Sequence, residues 1–401
     1  MEKLKKEWKR ENAEKRKKGE RLFFKEQKKV ADDICSLFLT NVIVSLCAPP
    51  QWGKTGVSLC VSFKLCMEQK ISPDSVYFIT GMSDRLWKDQ TRERILLSWK
   101  QNVFHRNTLH HFGMKVQSKQ KKNILIIIDE CHLANRATFT LGTIMNQLNI
   151  KDPDFMKKNN IKILQISATP TNTLVDATEW GGFQAKISPP IDDGYVSFQN
   201  FINEGRIYEP FFLENFEDCI EYFSLIETPN PRYHLIRSVC SGTSGALSYM
   251  GTSVNLRRQC EENDIIFIEM NMGKSRQEIN KIFNDLSYEP KKHTIILIKN
   301  MLGASKTLDD KFIGSVHEST PNEKDYSSEV QGLPGRLCGW TKKKGRDGVM
   351  LFCDRSIIEA YIELYQSQFD FESGIVWRDS RLKVNDSGRI RSKESYLSLE
   401  H

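Results

Sequence analysis

The chain has 401 residues, of which 39% are hydrophobic and 27% charged. That is too long for one ordinary core and apolar enough for two, which excludes a mainly disordered, collagen-like or mucin-like protein. The net charge of +7 is carried entirely by residues 1–30, where 13 Lys/Arg meet 6 Asp/Glu; the remaining residues balance to zero.

No apolar run reaches the roughly 18 residues of a membrane helix. No apolar stretch follows the charged start Met1-Glu2-Lys3-Leu4, so neither a span nor a secretory signal is expected. The ten cysteines form no C-x-x-C pair, which points to reduced thiols in a soluble, intracellular protein rather than to zinc or disulfides.

Residues 1–21 form a basic N-terminal arm, polar all round, with Leu4, Trp8 and Ala13 as the residues able to pack. Such a helix is marginal unless docked or bound. It either solvates the protein or attracts phosphate backbones. From Leu22 apolar residues recur at helical spacing (Phe23, Phe24, Val30, Ile34, Leu37, Phe38), and the run 42–48 reads as a buried parallel strand. Strand-like runs follow at 75–80, 123–128 and 161–166, with helical stretches at 57–69 and 85–100 between them. This is the alternation of a doubly wound α/β sheet with helices on both faces.

Residues 22–179 are therefore a first α/β domain, and 180–228, with Gly181-Gly182 and Pro189-Pro190, a connecting segment. A second domain spans 229–372, with strands expected at 231–237, 264–269, 294–298, 312–316 and 348–353 and helices at 275–286 and 356–366. Residues 373–401 are a polar tail.

Three strand ends carry chemistry. The first strand runs into Ala48-Pro-Pro-Gln-Trp-Gly53-Lys54-Thr55 ahead of a helix, where unpaired backbone N–H groups bind phosphate. Gly53 permits close approach, Lys54 reaches the β- and γ-phosphates of ATP, and the Thr55 hydroxyl ligates Mg2+. The apolar run 124–128 ends in Asp129-Glu130-Cys131-His132, at the strand end where open α/β sheets bind ligands. Asp129 suits the magnesium, and Glu130 is placed to orient or deprotonate an attacking water. The third strand ends in Ser167-Ala168-Thr169-Pro170-Thr171, small hydroxyl residues able to bridge the carboxylate site to a second domain. Trp52 and Trp340 read as packing residues. His105, His110 and His111 read as surface residues, with no partner at metal spacing.

In order and spacing, A-x-x-x-x-G-K-T, D-E-C-H and S-A-T-P-T together resemble the superfamily 2 helicases and translocases of the DExH type. The resemblance implies two RecA-like parallel-sheet domains of the P-loop NTPase class, with a cleft between them and ATP–magnesium bound on the first. It assigns His132, Ser167 and Thr169 to coupling of nucleotide state with grip on nucleic acid. Phe24-Lys-Glu-Gln27 resembles the family's adenine-contacting Gln segment and equally fits an amphipathic helix start.

The stretch 295–307, with Gly303, Lys306 and Thr307, resembles the fifth motif, which touches nucleic acid. Gln331-Gly-Leu-Pro-Gly335-Arg336-Leu-Cys-Gly339-Trp340 resembles the sixth, in which Arg336 corresponds to an arginine finger. One extra residue separates Gln331 from Gly335, and Gly339 stands where the family has its last Arg. This variant resembles helicases of large DNA viruses and phages, which favours DNA over RNA as partner and a cytoplasmic, viral-factory or virion setting.

Overall fold

Strands buried on both faces need uninterrupted apolar runs, and these organise the first sheet. The structure is a computed structural model that describes residues 1–19, 21–68, 71–81, 85–129, 140–169, 184–191, 194–238, 242–271, 273–299, 308–318, 326–340, 348–370, 375 and 377. The described residues divide into two compact units, Met1–Pro190 and the residues from Ile191 onward.

In the first unit the elements run α1 (Glu2–Lys17), α2 (Lys25–Leu37), β1 (Ile43–Cys47), α3 (Lys54–Glu68), β2 (Val76–Thr80), α4 (Arg85–Arg94), β3 (Val103–Phe104), α5 (Leu109–Ser118), β4 (Ile124–Asp129), α6 (Thr140–Gln147), α7 (Pro153–Lys158), β5 (Ile161–Ser167) and β6 (Gln184–Ile187). The sheet is parallel, in the order β3-β2-β4-β5-β1-β6. On one face Ile43, Ile126, Ile128 and Ile163 pack with Phe112 of α5 and with Leu141 and Met145 of α6.

α1 has little to hold it alone, and docking supplies the rest. Leu4 is buried, and Trp8 stacks between Phe23 and Phe63 with ring centres 5.3 and 4.2 Å away. The buried Glu7 carboxylate accepts from the backbone N–H of Ser98 at 3.1 Å and from its hydroxyl. Ala13, the third residue expected to pack, is exposed.

In the second unit the order is α8 (Phe198–Asn203), β7 (Ile207–Tyr208), α9 (Phe216–Ile226), β8 (Tyr233–Ser238), α10 (Gly242–Glu262), β9 (Ile266–Met270), α11 (Arg276–Asp285), β10 (Thr294–Lys299), β11 (Ile313–Glu318), α12 (Tyr326–Gln331), β12 (Met350–Phe352) and α13 (Arg355–Gln366). Its parallel sheet is ordered β7-β12-β11-β8-β10-β9. Tyr222, Ile236, Leu256, Leu297 and Phe352 share one core.

The segment 180–228 is more than a connection. Its Gln184–Ile187 joins the first sheet beside β1, and α8, β7 and α9 belong to the second unit. Short, half-exposed elements between turn residues hid it. At the start of the tail, Trp377 is fully buried, 5.4 Å from Tyr326 and 6.0 Å from Tyr361 between ring centres.

A polar chain crosses the second core. His293 Nε2 must donate to the Thr228 carbonyl, 2.9 Å away, so its Nδ1 accepts from His234 Nε2 at 3.0 Å. His234 Nδ1 then accepts from the Ser315 hydroxyl, which accepts from Tyr222, each bond 2.9 Å long. Every donor is used once with both imidazoles neutral, and burial pushes His234 down to about 3.

Candidate active site

Parallel pairing places the sequence-predicted groups at one end of the first sheet. Cys47 of β1 pairs with Ser167 of β5, and Asp129 of β4 pairs with Ile166, so the three strand ends are neighbours. The Ala48 N–H donates to the Ser167 carbonyl at 3.2 Å, which ties the loop's first residue to the S-A-T segment. Ser167 and Thr169 are buried, and the Thr169 N–H donates to Ser167 Oγ at 3.0 Å.

The loop 48–53 ends on Gly53, whose φ of +96° lies in the left-handed region. A Cβ there would stand 1.9 Å from Gln27 Nε2, so only glycine lets Gln27 and the loop close on each other. Gln27, 2% exposed, accepts from the Phe24 N–H at 2.8 Å through Oε1 and turns Nε2 toward the Trp52 carbonyl at 3.5 Å. It is therefore both the start of α2 and a wall of the loop. Trp52 is fully buried, as a packing residue should be.

Lys54 opens α3, with Thr55 next, both half-buried. The Lys54 ammonium donates to the carbonyls of Ala48 at 3.3 Å and Pro49 at 3.2 Å, so it lies over the loop rather than in open solvent. Asp129 is half-buried, and Trp87 Nε1 of α4 donates to its Oδ2 at 2.8 Å. Trp87 is the residue sequence reasoning missed. It lies 42 positions from Asp129, and nothing local marks it as a partner.

This donor set fits a magnesium triphosphate. The Lys54 ammonium lies over the loop as a cation for phosphate oxygens, and the Asp129 carboxylate and Thr55 hydroxyl are hard oxygen ligands of the kind magnesium takes.

In the second unit Arg336 is 1% exposed, and its Nη2 donates to the Gln331 carbonyl at 3.4 Å. Gln331 ends α12 and is 9% exposed. Beside them Arg237 Nε donates to Glu318 Oε1 at 2.5 Å, and Glu318 Oε2 accepts from the Leu333 N–H at 3.0 Å. Burial pushes the neighbouring Glu329 up to about 8. Gly339 has φ +138° and exchanges two backbone hydrogen bonds with Val196, of 3.1 and 2.9 Å. A residue with a side chain at that position would be strained.

Glu130, His132, Gly303, Lys306 and Thr307 lie outside the described residues. His105 is a correction. Expected at the surface, it is buried because its Nδ1 accepts from the Asn107 N–H at 3.3 Å and starts the turn before α5, whereas His110 and His111 are not buried. Among the described residues no group of three or more His, Cys, Asp or Glu could hold a metal ion, and no helix is long and apolar enough to cross a membrane.

Comparison with known proteins adds the fold family. No protein-family model matches the chain. An uncharacterized protein, L594, of Acanthamoeba polyphaga mimivirus is 24% identical over 346 residues, covering 81% of this chain and 84% of its own. Among solved structures, the DEAD-box helicase Mss116 bound to ssRNA and UDP-BeF aligns with a TM-score of 0.53 at 14% identity, over 87% of this chain and 77% of that one. The Mycobacterium smegmatis helicase Lhr bound to ssDNA and AMP-PNP aligns with a TM-score of 0.50 at 12% identity, over 85% of this chain and 48% of that one. The chain shares the fold of these two helicases. Its two parallel sheets are RecA-like domains, and within that helicase fold the glycine loop and Asp129 occupy the strand ends of the first domain.

Proposed function

We propose that the chain is an ATP-dependent helicase that hydrolyses ATP to move along and unwind nucleic acid, with DNA favoured over RNA. The observation that carries this reading is the adjacency of the β1, β4 and β5 ends, which brings Lys54, Asp129 and Ser167 to one end of one sheet. The fold likeness to helicases bound to ssRNA or ssDNA and a nucleotide analogue supports it. The mimivirus relative fits the viral leaning from which the choice of DNA is taken.

In this reading Gln27 contacts the adenine while bracing Gly53. Lys54 exchanges the Ala48 and Pro49 carbonyls for phosphate oxygens. Thr55 and Asp129 would hold magnesium, which would supply positive charge to offset that of the phosphates. Glu130 orients the attacking water. Arg336, supported by Gln331, serves as an arginine finger when the domains close on nucleotide, a contribution of roughly 10³–10⁵ in rate where measured in nucleotide hydrolases. His132, Ser167 and Thr169 couple that event to grip through Gly303, Lys306 and Thr307.

The test is phosphate release with single- and double-stranded DNA and RNA as separate activators, beside a strand-displacement assay. Stimulation by DNA together with displacement supports the helicase. Stimulation without displacement leaves a translocase or remodeller. A second reading, a nucleotide-gated nucleic-acid binding protein with decayed hydrolysis, is favoured by the burial of Arg336 and by the glycine at 339. It requires ATP-dependent binding with no stimulated phosphate release.

A further inference from the structure

The sheet edges differ in what they leave open. β3 and β7 are two residues long, and β6 is polar and half-exposed. β9 (Ile266-Phe267-Ile268-Glu269-Met270) is a five-residue, largely apolar strand at the end of the second sheet, paired with β10. An edge strand of that kind is a template for pairing with another chain. The Ile266 N–H donates to the His293 carbonyl at 2.9 Å, so Ile266, Ile268 and Met270 turn their backbone groups toward β10. The alternate residues turn theirs outward. In that outward row the Ile265 N–H donates to the Cys260 carbonyl at 2.9 Å, and the Asn271 carbonyl accepts from the Lys274 N–H at 3.1 Å. Phe267 and Glu269 lie between them, and no described strand pairs with their outer side.

α10 flanks this edge on one face of the sheet. Its Arg257 stands over the Phe267 ring, 5.0 Å from guanidinium carbon to ring centre, and lies 3.7 Å from the Glu269 carboxylate, which also accepts from the Ser253 hydroxyl. Beside Ser253 and Arg257 on the helix surface run Leu247, Met250 and Val254, spaced i, i+3, i+7 and 64%, 61% and 64% exposed. An apolar stripe left that open marks an interaction surface.

We propose that β9 and the outer stripe of α10 form a two-fold interface between two copies of this chain. Two β9 strands set antiparallel about an axis at Ile268 bring Phe267 opposite the partner's Glu269. The two residues exchange both backbone hydrogen bonds, and symmetry repeats the exchange, so every outward group of the two residues is used. The neighbouring registers serve worse. An axis at Glu269 sets like charges opposite each other, and an axis at Phe267 sets Glu269 against Ile265, whose N–H is already taken. With the axis at Ile268 the partner's Glu269 stands beside the Arg257 guanidinium, so the charges are complementary across it. Both α10 helices then lie on one face of the joined sheet, where each stripe covers the other. An added peptide strand would satisfy the backbone and leave the stripe bare, whereas a second copy answers both features. β7, at the far edge, is too short to continue the pairing, so the assembly closes as a dimer.

The experiment is sedimentation velocity of the full chain from micromolar to submillimolar concentration, without nucleotide or nucleic acid. The wild type should pass from the mass of one chain to that of two and no further. The double variant Met250→Lys, Val254→Lys changes positions that are already exposed. It should raise the dimer dissociation constant about a hundredfold, since lysines of the two copies then face each other. Arg257→Glu should raise it about tenfold, and adding Glu269→Arg should restore it. That rescue separates an interface from a local ion pair, which has no effect on mass. Should the charge variants lose stability, wild-type amide exchange carries the strand test: the Phe267 and Glu269 N–H groups should exchange more slowly as the dimer fills. A wild type that keeps the mass of one chain throughout would overturn the proposal. So would a dimer that the lysine pair does not weaken, or one whose Phe267 and Glu269 amides exchange at the monomer's rate. Species that go on growing with concentration would mean an open contact and would overturn the two-fold interface.

Discussion

The two domains hold their charged groups in opposite ways. In the first, Lys54 and Asp129 stand half-buried at strand ends, held by carbonyls of their own loop and by one indole N–H. In the second, Arg237, Glu318, Glu329 and Arg336 are buried together, and Arg237 is ion-paired to Glu318. The first arrangement exposes polar atoms to a ligand at small cost. The second holds charges that must stay paired or neutral, because an unpaired buried charge is strongly destabilising. Substitutions should therefore damage binding in the first domain and folding in the second.

The largest effect is expected in the second domain. Glu318→Gln removes one partner of the buried pair and should cost about 3–5 kcal/mol in urea denaturation. A cost under about 1 kcal/mol would mean that the pair is solvated and the contrast is lost. Next comes Gly53→Ala, which forces a Cβ into the position now filled by Gln27. About 1–3 kcal/mol of backbone strain should appear as lost stability in urea denaturation, and affinity for a fluorescent ATP analogue should fall about tenfold as Gln27 is displaced from the loop. Equal affinity in the variant would detach Gln27 and the loop from nucleotide binding.

Trp87→Phe keeps the packing and removes the bond to Asp129. The magnesium concentration for half-maximal turnover should rise about tenfold, the lower range for partners of metal ligands. An unchanged magnesium dependence would leave Trp87 a packing residue.

The last effect is spread over pH. Burial holds His234 and His317 down to about 3, so both stay neutral in the folded chain while the unfolded chain protonates them below about 6.5. Stability should therefore fall as pH drops from about 6.5 toward about 3, and His234→Gln should remove about 1.4 kcal/mol per pH unit from that slope. Glu329 acts in the opposite direction: raised to about 8, it favours the fold at low pH and loses that contribution as pH rises through its folded value. Denaturation midpoints at several pH values measure the difference in slope.

Legibility in the sequence followed the same divide. β4 was plain because Ile124–Ile128 is buried on both faces and leaves no period to misread. The candidate site at its end was legible as a local pattern, a buried strand followed by carboxylates, of which Asp129 lies within the described residues. α10 left no such trace: Gly, Ser and Thr interrupt its apolar residues, and Leu247, Met250 and Val254 are exposed. β3 is too short for any pattern, and Gln184–Ile187 is polar and half-exposed. Trp87 acts through a partner that the tertiary fold sets, whereas His105 caps its own turn. At Gly339 only the φ of +138° shows why a glycine stands there.

The most direct test of the central claim is steady-state phosphate release by wild type and Lys54→Ala, at saturating magnesium–ATP, with and without single-stranded DNA. The account predicts release that DNA stimulates in the wild type and that is abolished in Lys54→Ala under both conditions. Release by Lys54→Ala at the wild-type rate would contradict it.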